Sequence, residues 1–523
     1  MSNVKNTTDV EDLIKRCEQL ESQNAQLMAE LNWFKEQLKL SRHRQFGSSS
    51  ERTDSEQQQI SLFNEVEAEA LAPLAEPTIE KITYERRKKR RSREVTLENL
   101  PVETIEYRLS EEEQVCSCCG GSLHEMSTEE RQELKIIPAQ VKVVKHVRYV
   151  YSCRRCEQEE IHTPIVTAPM PAPVLKKSLV SPSAMAYLMT QKYVNGMPLY
   201  RQEQHFAHLG VNLSRQNMAN WILYGAHQWL SLLYTRMHHY LLLQEVLCAD
   251  ETSLQVLHEP GREAQTTSYM WLYRTGREGP PIVLYDYQQT RAGEHPRQFL
   301  SGFKGFLTVD GYSGYHKVEG VTLACCWAHS RRKFTEALKV LPDKKKRSGK
   351  TVADEGLEYC NQLFAIEQQL KDLTNEERYE ERLKRSQPVL DAFLAWLHKQ
   401  SPNVLPKSAL GQAINYCLNQ WDKLIGFMLD GRLELDNNRS ERTIKSFVLG
   451  RKNFLFSNTP RGAQASAIVY SIVETAKENG LNPFTYLNYL FEILPNVDTK
   501  DVQALDQLLP WSETLPELCR VTK

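Results

Sequence analysis

Two short apolar runs, each closed by an aspartate, constrain this chain more than any other feature. Val246-Leu247-Cys248-Ala249 ends in Asp250, and Gly305-Phe306-Leu307-Thr308-Val309 ends in Asp310. Runs of this length and aliphatic content read as buried strands. A carboxylate at the mouth of a central strand is costly unless a cation meets it. A third acid, Glu441, follows Leu435-Asp436-Asn437-Asn438-Arg439-Ser440 and reads as helical. Two aspartates from strand ends and one glutamate from a helix can hold two divalent ions, and hard oxygen ligands suit magnesium or manganese. Two such ions can activate an attacking oxygen and stabilise a leaving oxygen on phosphorus. A single strand-end aspartate is more often a turn or cap residue, so the rest of the chain has to decide.

A chain of 523 residues, 41% hydrophobic, has room for several packed domains. Its net charge of −1 excludes a global basic field, so any contact with DNA comes from local patches. Twelve cysteines without a secretory leader point to a reducing compartment and to the cytoplasm. No apolar run is long enough to predict a membrane span.

Taken in order, residues 1–45 hold a heptad pattern. Leu13, Leu20, Leu27 and Phe34 form one series, and Cys17, Asn24, Leu31 and Leu38 the other. This predicts a coiled coil that makes a homo-oligomer, with Asn24 setting register, or else an amphipathic helix packed on its own domain. Residues 46–94 read as a linker with a basic arm. Arg86, Arg87, Lys88, Lys89, Arg90, Arg91 and Arg93 place seven cations in eight positions, which is either a solvated run or a phosphate-binding arm. Residues 95–165 carry Cys116-x-x-Cys119 and Cys153-x-x-Cys156. Two such knuckles can supply four thiolates to one structural zinc, with an alternating strand over Val141–Tyr151 delivering the second pair. Cys118 is a spare thiol.

Pro164, Pro169, Pro171 and Pro173 mark an extended linker. Residues 166–242 then read as helical. A helix from Leu199, a break at Gly210 and a Ser214-capped helix outline a helix-turn-helix, with Arg215, Gln216 and Asn217 placed to read base edges. Any two short helices joined by glycine share that outline. Over 243–340 the expected strands are Val246–Val256, Tyr269–Arg274, Ile282–Tyr287, Gly305–Asp310 and Leu323–Trp327, with a short helix near Pro296–Leu300. Residues 341–429, opened by Lys344-Lys345-Lys346-Arg347, read as a helical insertion, either a packed hairpin or a DNA clamp. Residues 430–490 carry the third acid. Arg442, Lys445, Arg451 and Lys452, with Phe454 and Phe456 nearby, suit a nucleic-acid backbone or a strand edge. Residues 491–523 are an uninformative tail. Cys325, Cys326 and His329 resemble a metal set, but adjacent cysteines share a tetrahedral site poorly, so they are expected to be scaffold. Glu251 is excluded because it alternates to the other strand face. Asp436 is expected to cap the helix that carries Glu441.

The runs Asp436-Asn437-Asn438-Arg439-Ser440-Glu441-Arg442 and Gly450-Arg451-Lys452-Asn453-Phe454-Leu455-Phe456 resemble the large transposase of the insertion sequence 66 family. So do Cys326-Trp327-Ala328-His329-Ser330-Arg331-Arg332-Lys333-Phe334 and Ala249-Asp250-Glu251-Thr252. The resemblance runs from about Phe46 to Leu490. It implies a multi-domain α/β chain: a ribonuclease-H-like catalytic core with a helical insertion, preceded by coiled coil, zinc module and helix-turn-helix region. It implies a DDE transposase with Asp250, Asp310 and Glu441 as metal-binding triad, two Mg²⁺ or Mn²⁺ ions per site, and DNA ends and target DNA as partners. Small accessory proteins are a further implied partner. Two other readings share these residues: a nuclease that cuts without joining, and a non-enzymatic zinc-containing DNA-binding regulator.

Overall fold

A computed structural model describes residues 140–152, 165–341 and 349–521, together with Arg16. The expected coiled coil, basic arm, zinc cysteines Cys116, Cys119, Cys153 and Cys156, and the Lys344–Arg347 loop lie outside the described residues. The body that carries the candidate site spans 145–520.

Its first elements are β1 (Val150–Ser152) and β2 (Ile165–Thr167), an antiparallel pair. The strand expected over Val141–Tyr151 is therefore regular only at its end. Alternation alone does not make a strand; β1 is as long as the partner it finds. The proline-rich stretch beyond β2 is tied to the body where the Trp229 indole donates to the Val174 carbonyl at 2.9 Å.

Helices α1 (Pro182–Tyr193), α2 (Leu199–His208) and α3 (Arg215–Tyr224) follow. The Ser181 and Ser214 hydroxyls accept the Ala184 and Asn217 amides, which caps α1 and α3. Gly210, at φ +79°, makes the turn between α2 and α3. A π-helical turn at Gly225–Leu230 carries α3 into α4 (Ser231–Leu242). A Cβ at Gly225 would meet the Met185 sulfur at 2.5 Å, so glycine is what lets α1 pack there.

The centre is a five-stranded mixed sheet of order β5-β4-β3-β6-β7. Its strands are β3 (Val246–Gln255), β4 (Thr267–Thr275), β5 (Val283–Gln288), β6 (Gly305–Val309) and β7 (Val321–Cys325), with α5 (Glu294–Phe299) between β5 and β6. The first three pair antiparallel, while β6 and β7 join β3 in parallel. The expected fifth strand is shifted: Cys326 caps α6 (Trp327–Val340), so Trp327 is helical.

The stretch expected to be an insertion holds α7 (Val352–Gln369), α8 (Asn375–Gln400) and α9 (Ala409–Asn419). Then come α10 (Asn438–Phe454), α11 (Pro460–Glu478) and α12 (Pro483–Ile493). α11 closes the β5 edge. Its Ser471 and Thr475 hydroxyls accept the Tyr285 and Val283 amides at 2.8 and 3.0 Å, and Thr475 donates back to the Val283 carbonyl at 2.9 Å. Edge groups that would otherwise recruit another strand are thereby satisfied.

Candidate active site

β3 and β6 lie side by side and parallel, with Val246 opposite Phe306 and Cys248 opposite Thr308. The same register carried one pleat further brings Asp250 level with Asp310, on backbones roughly 4.8 Å apart. Asp310 is the first residue beyond β6. Its Oδ1 accepts the Tyr312 amide at 3.0 Å, and its carbonyl accepts the Tyr416 hydroxyl at 2.9 Å. Asp250 Oδ1 accepts the Glu251 amide at 2.8 Å.

Glu441 stands in the first turn of α10. Three anchors position that helix against the sheet. Asn437, 2% exposed, donates its side-chain amide to the Ala249 carbonyl at 2.9 Å, one residue before Asp250. The buried Arg274 guanidinium on β4 donates to Thr443 Oγ1 at 2.6 Å, and the Tyr285 hydroxyl on β5 donates to the Thr443 carbonyl at 2.7 Å. Asp436 accepts the amide of Asn438, the first residue of α10, at 3.0 Å, and so satisfies one open helix donor.

The acids act on one another electrostatically. Burial pushes the Asp250 carboxyl well above the ordinary range, and Glu251, Asp310 and Glu441 push it further. Such a cluster of oxygen donors carrying excess negative charge suits a hard divalent cation.

The acids also have cationic neighbours. Arg332 Nη2 donates to Glu441 at 3.2 and 3.4 Å, and His329 Nδ1 lies 3.9 Å from Glu441 Oε1. Arg291 pairs with Glu251, lies 4.0 Å from Asp310 Oδ2 and stacks on the Tyr312 ring at 4.0 Å. Glu251 is itself buried and accepts the Tyr315 hydroxyl at 2.6 Å.

Among the described residues, the group of three whose ligand atoms lie within 4.8 Å of one another is Cys326, His329 and Glu441; Asp250 and Asp310 are not in it. Cys325 and Cys326 do part: the Cys325 thiol faces Gln420 at 3.9 Å, while Cys326 Sγ accepts the Asn437 amide at 3.1 Å. Three residues on, His329 falls on the same face of α6, beside Glu441. The sequence already sets Cys326 and His329 near each other, where they are expected to be scaffold; only the fold adds Glu441 to them. No local signal marks Arg291 or Asn437.

The expected DNA contacts are placed as follows. Arg215, Gln216 and Asn217 are exposed at the start of α3, with Arg215 3.9 Å from Glu203. Arg442, Lys445 and Lys452 are exposed on α10. Arg451 turns instead toward β3 and donates to Thr252 Oγ1 and Ser253 Oγ at 3.3 and 3.1 Å.

Comparison with known proteins adds four family matches. A model described as transposase IS66 family matches residues 177–465. The zinc-finger binding domain of transposase IS66 matches 113–157, which includes all four paired cysteines. The IS66 C-terminal element matches 471–511, and a model described as transposase C of IS166 homeodomain matches 33–105. The chain is 32% identical to uncharacterized protein y4jD of Sinorhizobium fredii (strain NBRC 101917 / NGR234), over 77% of this chain and 78% of that protein. It is 31% identical to uncharacterized protein y4hP of the same strain, over 76% and 73%.

Proposed function

Because this chain belongs to the IS66 transposase family, we propose that it cleaves the 3′ ends of its DNA element and joins them to target DNA by metal-dependent phosphoryl transfer. The observation that supports the proposal is the parallel register of β3 and β6, which, carried one pleat beyond its last pair, sets Asp250 beside Asp310 just past the end of β6, with Glu441 close enough to act on the Asp250 carboxyl. The strand order β5-β4-β3-β6-β7 supports reading the core as ribonuclease-H-like. Fold alone carries no chemistry; the acids do.

Asp250, Asp310 and Glu441 would hold two Mg²⁺ or Mn²⁺ ions. Bound there, the metal supplies activation of the attacking oxygen and neutralisation of the leaving oxygen. Arg291 beside Asp310 and Arg332 beside Glu441 offer planar donors to phosphate oxygens on either side of the acids. Asn437 holds α10 to β3 and so sets where Glu441 stands. Hydrolysis at an element end and attack by the freed 3′-hydroxyl use one centre, since both are in-line transfers.

The four cysteines within the zinc-finger match would hold one structural zinc, and residues 1–45 would drive self-association. DNA binding follows from the family, and no described helix is long and apolar enough to cross a membrane.

The test is Asp250→Asn, Asp310→Asn and Glu441→Gln, each assayed for cleavage, strand transfer and DNA binding. Each should abolish both reactions while binding stays within about twofold, since only the metal-held chemistry is removed. An active Glu441→Gln beside a dead Asp436→Asn reassigns the third acid. Cleavage without joining makes the protein a nuclease. Normal function with all three acids neutralised makes it a regulator.

A further inference from the structure

We propose that the turn ending α10, Leu455-Phe456, is a wedge that unstacks duplex DNA beside the cleavage site. Leu455 has φ +69° and ψ −50°, one of two non-glycine residues at positive φ among the described residues. The Phe456 amide donates to the Phe454 carbonyl at 2.9 Å across it. That closes a γ-turn of the rare, strained hand. A γ-branched residue is strained there, and strain of this kind persists where the surroundings enforce it. Glycine would remove the strain, yet the position carries an apolar side chain.

The surroundings do enforce it. On one side, Arg451 is fixed to Thr252 and Ser253 at the end of β3. On the other, the Ser457 amide donates to the Gln255 carbonyl at 2.9 Å, and the Leu257 amide to the Ser457 carbonyl at 3.0 Å. Both ends of the turn are thus clamped to the strand that carries Asp250. What the clamp presents is apolar and outward: Leu455 is 68% exposed and Phe456 43%.

The occupant follows from charge and polarity. Arg442, Lys445 and Lys452 are exposed along α10 between Glu441 and the turn, at spacings of three and seven residues that share one helix face. Lys445 and Lys452 have no acidic partner among the described residues. The groove edged by Leu455 is lined by polar side chains, including Ser253, Gln255, Gln265 and Thr267. A cationic stripe leading to an apolar tip over a polar groove suits a nucleic-acid backbone followed by separated bases, not an apolar protein face. The fourteen residues from Glu441 to Leu455 span about 21 Å of helix, within one turn of duplex from the acids. Apolar side chains inserted at a base step unstack and kink it.

The proposal rests on the transposition reading, and its test separates the two. The probe is a duplex carrying the end sequence that flanks the gene for this chain, with 2-aminopurine at the terminal steps. The full chain and its Asp250→Asn variant should raise the fluorescence about threefold or more as the base unstacks. Leu455→Gly and Phe456→Ala should lose that rise and bind the paired duplex about tenfold more weakly, while binding a duplex mismatched at the same step as the wild type does. A wild type that cuts without a fluorescence rise overturns the wedge and spares the transposition reading. A rise without cutting does the reverse. Variants equally weak on paired and mismatched DNA would make the turn a structural element and overturn the proposal. So would a Leu455→Gly chain that keeps the rise but changes its mass in solution without DNA, since another copy of this chain would then cover the turn.

Discussion

Asn437→Ala is the sharpest probe of how Glu441 is positioned. The substitution removes one buried hydrogen bond, to the Ala249 carbonyl at 2.9 Å. It keeps the backbone bond to Cys326 Sγ. An unsatisfied buried carbonyl costs about 1–3 kcal/mol. Part of that is offset, because Asn437 Oδ1 has no hydrogen-bond partner among the described residues, and its burial cost leaves with the side chain. The net loss of stability should be on the order of 1 kcal/mol. The effect on rate should be larger. The lost bond is the direct tie between the start of α10 and the strand that carries Asp250, and a misplacement of about 1 Å at a reacting centre costs roughly a hundredfold. That is about 2.7 kcal/mol of barrier, more than the stability lost. Asn437→Asp should be worse, since an ionised carboxylate cannot donate to Ala249 and adds negative charge beside Asp250. The assay is single-turnover 3′-end cleavage at saturating DNA, with urea unfolding of the same preparations. A cleavage rate within twofold of wild type would refute the positioning role. A rate loss that only tracks the unfolded fraction would refute it as well.

Three further outcomes are expected. Arg382 is 1% exposed and donates to Glu367 and to the Phe427, Asp430 and Leu433 carbonyls; Arg382→Met should cost about 3–5 kcal/mol in thermal or urea unfolding, and a loss below about 1 kcal/mol would mean that water replaces the guanidinium. Burial pushes the Asp286 carboxyl from 3.8 up to about 6, so its contribution is full below about pH 4 and is lost as pH rises through about 6; Asp286→Asn should raise the urea midpoint over wild type near pH 8 and leave it unchanged near pH 4, and equal midpoints at both would sink the assignment. Elemental analysis should find about one zinc per chain, and Cys119→Ser or Cys153→Ser should bring it close to zero; well under one ion in the wild type removes the zinc module.

The sheet was legible because its strands are short apolar runs closed by groups that are expensive to bury. Strand edges for β3, β4, β5 and β6 fall within three residues of the expected ones. The helix pair α2 and α3 was legible for a related reason: the Gly210 turn and the Ser214 cap of α3 announce themselves locally. β1 was overread, because alternation over Val141–Tyr151 says nothing about whether a partner strand exists. The tail beyond 491 was underread. Its Asp506 pairs with Arg236 at 2.7 Å and accepts the Tyr240 hydroxyl at 2.8 Å, a contact with no trace in the local pattern.

The insertion shows where sequence reading stops. Periodicity marks α7 and α8 as helices but leaves a packed hairpin and a DNA clamp equally open. In the structure two arginines of α8 point inward. Arg378 donates to the Gly431 carbonyl at 2.8 Å, and Arg382 to the three carbonyls of the same segment. A Cβ at Gly431 would collide with the Asn375 carbonyl at 1.9 Å, so the segment packs directly on the start of α8. That segment runs into Asp436, Asn437 and then Glu441. α8 therefore braces the approach to Glu441, whatever its outer face does. On sequence alone Arg378 and Arg382 are two more charges on a charged helix, because the cost of burying an arginine appears only once its carbonyl partners, about fifty residues away, are brought to it. A costly acid at a strand end declares itself. The groups that hold it in place are ordinary residues until the chain is folded.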